Sequence, residues 1–262
     1  GDLTDPKAVR AACAGADAVI CAAGFRYDAA VWERAWPAAM RNILEGCAAS
    51  GARLVFADNL YMYGPRTEPL REDMPLTSYG RKPRVRAAIT RAWQDAHAQG
   101  RVQAVAVRAS DFYGPQVATS VISQFGVAAL LGGKAALVPY SPDHPHDYTY
   151  VPDFARALVS LVDAREEDYG QAWHVPNTPT RTLRQILALA AELIGTPPRI
   201  NVLPGFMKRI VGVFQPAVRE LREMHFQTDR PYLVDSSKFA TRFWSDATSF
   251  DDGLAATIAS FR

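Results

Sequence analysis

A few groups of residues in this chain have the types and spacing to do chemistry. The densest is Arg81-Lys82-Pro83-Arg84-Val85-Arg86. Such a cluster can contact phosphate at a helix start, but by default it is a solvated helix start. Tyr79 lies three residues before Lys82, a helical neighbour in principle. Pro83 biases Lys82 away from the α region, so the helix is expected to begin at Pro83, with Tyr79 and Lys82 in the loop before it. His144 and His146 have the look of a metal pair, but no third ligand follows at sensible spacing, so structural histidines are expected and no metal site. Cys13, Cys21 and Cys47 form no CxxC pair and cannot all be joined in disulfides. Cys21 and Cys47 fall in apolar patterns as buried small hydrophobes, which suits a reducing, cytoplasmic setting. No G-x-G-x-x-G pattern occurs anywhere to hold a pyrophosphate.

Composition narrows the classes. At 262 residues with 48% apolar, the chain can bury one sizeable core or two modest ones. Its charge of +2, from 29 basic and 27 acidic residues, makes no electrostatic case for nucleic acid or a membrane surface. The longest apolar region, Gly205 to Pro216, contains Lys208 and Arg209 and is too short to span a bilayer. A small molecule is the expected partner.

The elements that must position these residues come in a β-α-β-α-β rhythm. Asp5-Pro6 caps a helix from Pro6 to Ala14. Ala18 to Ala22 reads as a strand buried on both faces. Trp36, Met40, Ile43, Leu44 and Cys47 repeat at helical spacing, with Pro37 in the first turn and Gly51 as the stop. Arg53 to Ala57 is a strand, Val85 to Ala96 a helix ended by Gly100, and Val102 to Val107 a third strand. Beyond Gly114-Pro115, helices are expected over Val121–Leu131, Val151–Ala164, Leu183–Ile194 and Met207–Phe226, with strands at Trp173–Val175 and Ile200–Leu203 and short helices after Asp235. The pattern predicts an α/β fold, a parallel sheet with helices on both sides.

The order GDLTDP, ADAVICAAG, NLYMYG, VRASDFYGP, HDYTYVPDFARAL and WHVPN resembles the extended, atypical short-chain dehydrogenase/reductases, the NAD-dependent epimerase/dehydratase family, along nearly the whole chain. The resemblance implies a Rossmann-like doubly wound sheet over residues 1–115 and 146–175. A smaller α+β substrate-binding region would cover 116–145 and 176–262. It implies NAD or NADP as cofactor. Asp2 and Leu3 match the pair lying against adenine. Ala22, Ala23 and Gly24 match the small residues where backbone passes close to the dinucleotide. Ala109, Ser110 and Asp111 match the segment passing the nicotinamide. In the matching box, Asp147 and Asp153 are loop-bracing or helix-capping residues.

Redox members of that family use Ser, Tyr and Lys, the Lys four residues after the Tyr on one helix face. Here Asn59 holds the serine place, and an amide still donates to a substrate oxygen. Tyr79 is the tyrosine, but Pro83 stands where the lysine belongs, and Lys82 is one residue early. Tyr61 and Tyr113 are the open alternatives, whereas Tyr63 is structural in relatives. The family's first strand is also expected upstream of Gly1, in roughly 50–70 further residues by the size of βαβ modules. The alternative is that the chain pairs its open edge with another copy as a homodimer, or binds no dinucleotide. The NAD/NADP discriminator would lie in that upstream segment. The resemblance points to an NAD(P)-dependent oxidoreductase or epimerase acting on a carbonyl or secondary alcohol. The broken Tyr/Lys spacing keeps a non-catalytic dinucleotide- or metabolite-binding role as the alternative. Apolar residues in the C-terminal region (Trp173, Phe206, Met207, Phe214, Met224, His225 and Phe226) are core at helical spacing, or lining for a rather apolar substrate.

Overall fold

The computed structural model describes residues 1–203, 220 and 222–262. The chain divides into two compact units. The first comprises Gly1–Pro65, Arg71–Arg108 and Arg156–His174. Its centre is a four-stranded parallel sheet in the order β1 (Ala18–Cys21), β2 (Arg53–Asp58), β3 (Ala104–Arg108), β8 (Ala172–His174). Helices α1 (Pro6–Cys13), α2 (Ala29–Ser50) and α3 (Lys82–Ala98) share the core with the strands, α2 crossing from β1 to β2 and α3 from β2 to β3. Parallel neighbours require such crossovers, because a hairpin cannot reverse direction twice.

Local chemistry sets the helix ends. Asp5 accepts from the Lys7 N–H and Asp28 from the Val31 N–H, each satisfying a donor that the first helical turn leaves open. The Asp28 cap starts α2 at Ala29, ahead of the predicted pattern that opens at Trp36, so Pro37 lies inside the helix rather than in its first turn. β3 is buried along its length, as a strand covered on both faces must be. β1 departs from that expectation: it pairs only with β2 in the described sheet, only Cys21 is buried, and Ile20 is 42% exposed.

The second unit comprises Arg66–Leu70, Ala109–Ala155 and Val175–Arg262. It holds three two-stranded pairs: β4 (Asp111–Tyr113) parallel to β7 (Tyr148–Tyr150), β5 (Ala136–Val138) parallel to β10 (Ile200–Val202), and β6 (Pro145–His146) antiparallel to β9 (Arg181–Thr182). Helices α4 (Ala128–Leu131), α6 (Leu183–Ile194), α7 (Ser237–Arg242) and α8 (Phe250–Phe261) complete it, and α5 (Val151–Val162) begins here and ends in the first unit. α6 follows its sequence signals to the residue: Thr182 and Gln185 form a reciprocal cap, and Gly195 closes it in the left-handed conformation. Val121–Leu131 is not one regular helix. Ser123–Val127 is a π-turn, in which Gly126 lets Leu187 of α6 approach to where a Cβ would stand, 2.4 Å from Leu187 Cδ2. The expected Met207–Phe226 helix, with Phe206 and Phe214, falls largely outside the described residues; Arg222–Gln227 is a 3-10 helix. Among the described residues no helix is long and apolar enough to cross a membrane.

The turn after β2 depends on one glycine. Gly64 has φ +67°, and a Cβ there would stand 2.8 Å from Thr77 Cβ, which cannot swing away as a side-chain tip can. Gly64→Ala is expected to cost about 2–4 kcal/mol, from the left-handed backbone and the overpacking together. Urea unfolding against the parent protein measures it.

Candidate functional site

In the first unit, chemistry gathers at the carboxyl ends of parallel strands. β1 runs into Ala22-Ala23-Gly24, all exposed, and no atom lies within 4 Å of where a Gly24 Cβ would sit. Backbone here is bare enough for a flat group to rest against it. β2 ends at Asp58, and Asn59 follows. The Asn59 N–H donates to Asp58 Oδ1 (2.9 Å), and Asn59 Oδ1 accepts from the Tyr61 N–H (3.0 Å). This local turn uses the amide's carbonyl and leaves Nδ2 with no partner among the described residues, so Asn59 can offer a donor. Upstream, Asp2 accepts from the Thr4 N–H and hydroxyl, which hold its carboxyl below the usual range, and the Leu3 carbonyl accepts from Asn42 Nδ2 of α2.

A buried polar network underlies Asn59. Asp58, Arg108 and His174 are the last residues of β2, β3 and β8, and they stand side by side in register. Asp58 pairs with Arg86 of α3 through Oδ1 and with Arg108 Nε through Oδ2 (3.3 Å). Arg108 also donates to Tyr63 Oη (2.5 Å) and Thr90 Oγ1 (3.2 Å). Tyr63 Oη lies 2.9 Å from His174 Nε2. The His174 N–H donates to Glu72 (2.9 Å). Burial pushes the Tyr63 phenol up to about 12, although Arg108 pulls the other way. Sequence reading missed this network. Its signal was an aspartate closing the apolar run Arg53–Ala57.

Tyr79 lies where expected, before α3, but Lys82 does not. Tyr79 lies in a loop, 43% exposed, with its N–H on Thr77 Oγ1. Lys82 is the first residue of α3 and fully buried, its ammonium 4.8 Å from the Tyr27 ring centroid. Nor is the basic cluster a solvated helix start throughout. Arg81 meets Glu33 at the surface and Arg84 is exposed, but Arg86 is buried against the rings of Trp36 (4.6 Å), Phe56 (5.1 Å) and Trp32 (5.9 Å). Positions 82, 85, 86, 89 and 93 fall on the inward stripe of α3, and flat aromatic faces accept the cations there. Tyr61 is half-buried and stacked on Trp32 (6.2 Å). Tyr113 is not open: it is wholly buried in the second unit's core, which raises its phenol.

In the second unit, Ala109 and Ser110 are buried, and Ser110 Oγ has no hydrogen-bond partner among the described residues. Asp111 is partly exposed, with Oδ2 3.1 Å from His146 Nε2, though not aligned for a hydrogen bond. His146 Nδ1 lies 3.1 Å from the Gln227 carbonyl. Among the described residues no three His, Cys, Asp or Glu side chains are placed to hold a metal ion. Asp147 accepts from Thr180 and the Val234 N–H, and Asp153, in the first turn of α5, accepts from the Thr248 N–H and hydroxyl, so both brace loops. Trp173, Met224 and Phe226 are buried, whereas His225 is exposed. The three cysteines are buried and free.

The sequence profile of the NAD dependent epimerase/dehydratase family matches residues 1–175. No curated protein sequence matches the chain. Among solved structures, the dTDP-glucose 4,6-dehydratase of Streptomyces venezuelae with NAD and TYD bound is similar at 19% identity and TM-score 0.79, covering 100% of this chain and 78% of that one. The UDP-glucose 4-epimerase of Thermus thermophilus, in complex with NAD, is similar at 20% identity and TM-score 0.77, covering 100% and 83%. The UDP-glucuronic acid 4-epimerase of Bacillus cereus with NAD follows at 16% and 0.78, covering 100% and 79%. At such identities the likeness shows the fold, a Rossmann-like parallel sheet with helices.

Two outcomes check the network. Asp58→Ala leaves Arg86 and Arg108 buried without their carboxylate, and the expected loss in denaturant unfolding is about 3–5 kcal/mol. For Tyr63, the unfolded chain loses its proton near pH 10 while the folded one keeps it to about 12. Its contribution is therefore full below pH 10 and falls as pH rises toward 12, by up to about 1.4 kcal/mol per pH unit. Stability-versus-pH curves should fall less steeply over that range in Tyr63→Phe than in the parent protein.

Proposed function

The chain belongs to the NAD-dependent epimerase/dehydratase family, and from that premise we propose that it is an NAD(P)-dependent enzyme acting on a carbonyl or secondary alcohol of a small molecule. The observation that carries this reading is the free amide donor of Asn59, set at the carboxyl end of β2 beside the bare backbone that ends β1. Ligands of open α/β sheets bind at the carboxyl ends of the strands. In the first unit, Ala22, Ala23 and Gly24 suit a dinucleotide lying along them, with Asp2 and Leu3 toward the adenine; by the family resemblance Ala109, Ser110 and Asp111 hold the sequence place of the segment that passes a nicotinamide. Bound there, the nicotinamide would exchange a hydride with the substrate carbon. Asn59 Nδ2 would hold the substrate oxygen and stabilise the charge that gathers on it. In sequence order Tyr79 holds the place of the proton-exchanging phenol, and Lys82 stands one residue before the place of its cation. Residues 116–145 and 176–262 would select the substrate, and the free buried thiols suit a cytoplasmic enzyme.

One observation favours a second reading, a dinucleotide- or metabolite-binding protein without turnover: the Lys82 ammonium rests on Tyr27 rather than lying one helical turn beyond Tyr79. Calorimetry with NAD and NADP, alongside turnover assays on hydroxy-ketones and nucleotide sugars, separates the two. Asn59→Asp keeps the acceptor for Tyr61 and removes the donor. The expected result is kcat lower by about 10²-fold or more with the fold intact. Cofactor binding with no turnover on any substrate would decide for the second reading.

A further inference from the structure

Trp32 sits in the first turn of α2 and is 6% exposed. Its indole touches both loops that frame the candidate site. Nε1–H donates to the Arg26 carbonyl (3.1 Å), on the loop that leaves β1 after Gly24. The indole also stacks on Tyr61 (6.2 Å, 15°), the first residue of the 3-10 turn Tyr61–Tyr63. The Tyr61 N–H is the donor that holds the Asn59 carbonyl (3.0 Å). No side-chain hydrogen bond caps that short turn, so the stack is a contact that keeps Tyr61 in place. We propose that Trp32 is a positioning residue: it ties the bare backbone after β1 to the Asn59 turn, so that a cofactor resting on the one and a substrate oxygen held by the other keep a single spacing.

This deepens the enzymatic reading above and rests on it. The indole is itself firmly held. Asp28 fixes its backbone, the carboxylate accepting from the Val31 N–H and the carbonyl from the Trp32 N–H (3.0 Å each). Trp36, one helical turn on, stands edge-on to Trp32 (6.2 Å, 81°) and to Phe25 of the β1 loop (4.9 Å, 85°). Tyr27, on the same loop, stands edge-on to Trp32 (5.6 Å, 81°), and the Arg86 guanidinium lies 5.9 Å from its ring. All of these contacts fall within the first unit. One rigid side chain therefore grips two loops by contacts of different kinds. The hydrogen bond to Arg26 sets a distance, and the stack on Tyr61 sets a plane. Hydride transfer tolerates little error in either, since a shift of about 1 Å can cost about 10²-fold in rate. Trp32 acts through Tyr61 on Asn59, not by touching the reacting atoms.

Trp32→Leu removes the hydrogen bond and the stack together. Tyr61→Leu breaks the stack from the other side and keeps the backbone N–H. Amide hydrogen exchange in the free protein needs no cofactor. The amide of residue 61 is expected to exchange about 10-fold faster in either variant, with the Leu54 amide, which bonds the Gln103 carbonyl inside the sheet, unchanged. In turnover, Trp32→Leu should lower kcat by about 10-fold or more. Asn59→Asp should cost about 10²-fold in the parent and only a small further loss once Trp32→Leu is present, because the two changes act on one group. Should Trp32→Leu not fold, Trp32→Phe, which loses the bond to Arg26 and part of the stacking face, carries both measurements. Unchanged exchange at residue 61, a rise shared equally by Leu54, or losses that simply multiply in the double variant overturns the proposal. A parent protein that turns over nothing ends the enzymatic reading, and exchange at residue 61 still decides whether Trp32 holds the turn.

Discussion

The first unit turns on a single carboxylate. Asp58 stands at the end of β2 with a guanidinium on each oxygen, one from α3 and one from β3. Two buried cations cost several kcal/mol each to dehydrate, and their mutual repulsion adds to that. Asp58 answers both, and half-buried Glu72 brings a second negative charge through the His174 N–H. The same carboxylate receives the Asn59 N–H. One residue therefore fixes where α3 lies against the sheet and where the donor of the candidate site begins.

Hydrophobic packing makes that arrangement possible. Trp32, Trp36 and Phe56 bury apolar area and also present flat, electron-rich faces. Arg86 stacks on these faces while its tip reaches Asp58. Lysine at that position, with a point charge and no planar fork, would not satisfy both surroundings. The aromatic box and the ion pairs are one construction: the rings exclude water, and dry surroundings strengthen each charge-assisted bond.

Much of this was legible in the sequence, and the failures have definite causes. α6 could be read to its ends because Thr182, Gln185 and Gly195 are local signals that act on their own backbone. The parallel strands could be read because β2 and β3 are apolar runs. The inward fate of Lys82 and Arg86 could not, since charge alone argues for solvent and only the facing aromatic rings reverse it. The exposure of β1 was also misread, because an apolar run says nothing of how many neighbours a strand has. Asn59 was recognised as an amide able to donate, but Tyr27 drew no attention: its pairing with Lys82 joins residues 55 positions apart, beyond any local spacing rule.

The turn at Asn59 has a consequence for recognition. An asparagine amide can usually rotate half a turn and greet either kind of ligand atom. Here the carbonyl is pledged to the backbone of Tyr61, so the group has lost that ambivalence. It reads ligands with one polarity only. A ketone or alkoxide oxygen meets a matching hydrogen, whereas an ammonium or amide hydrogen brought to the same point finds no lone pair to receive it.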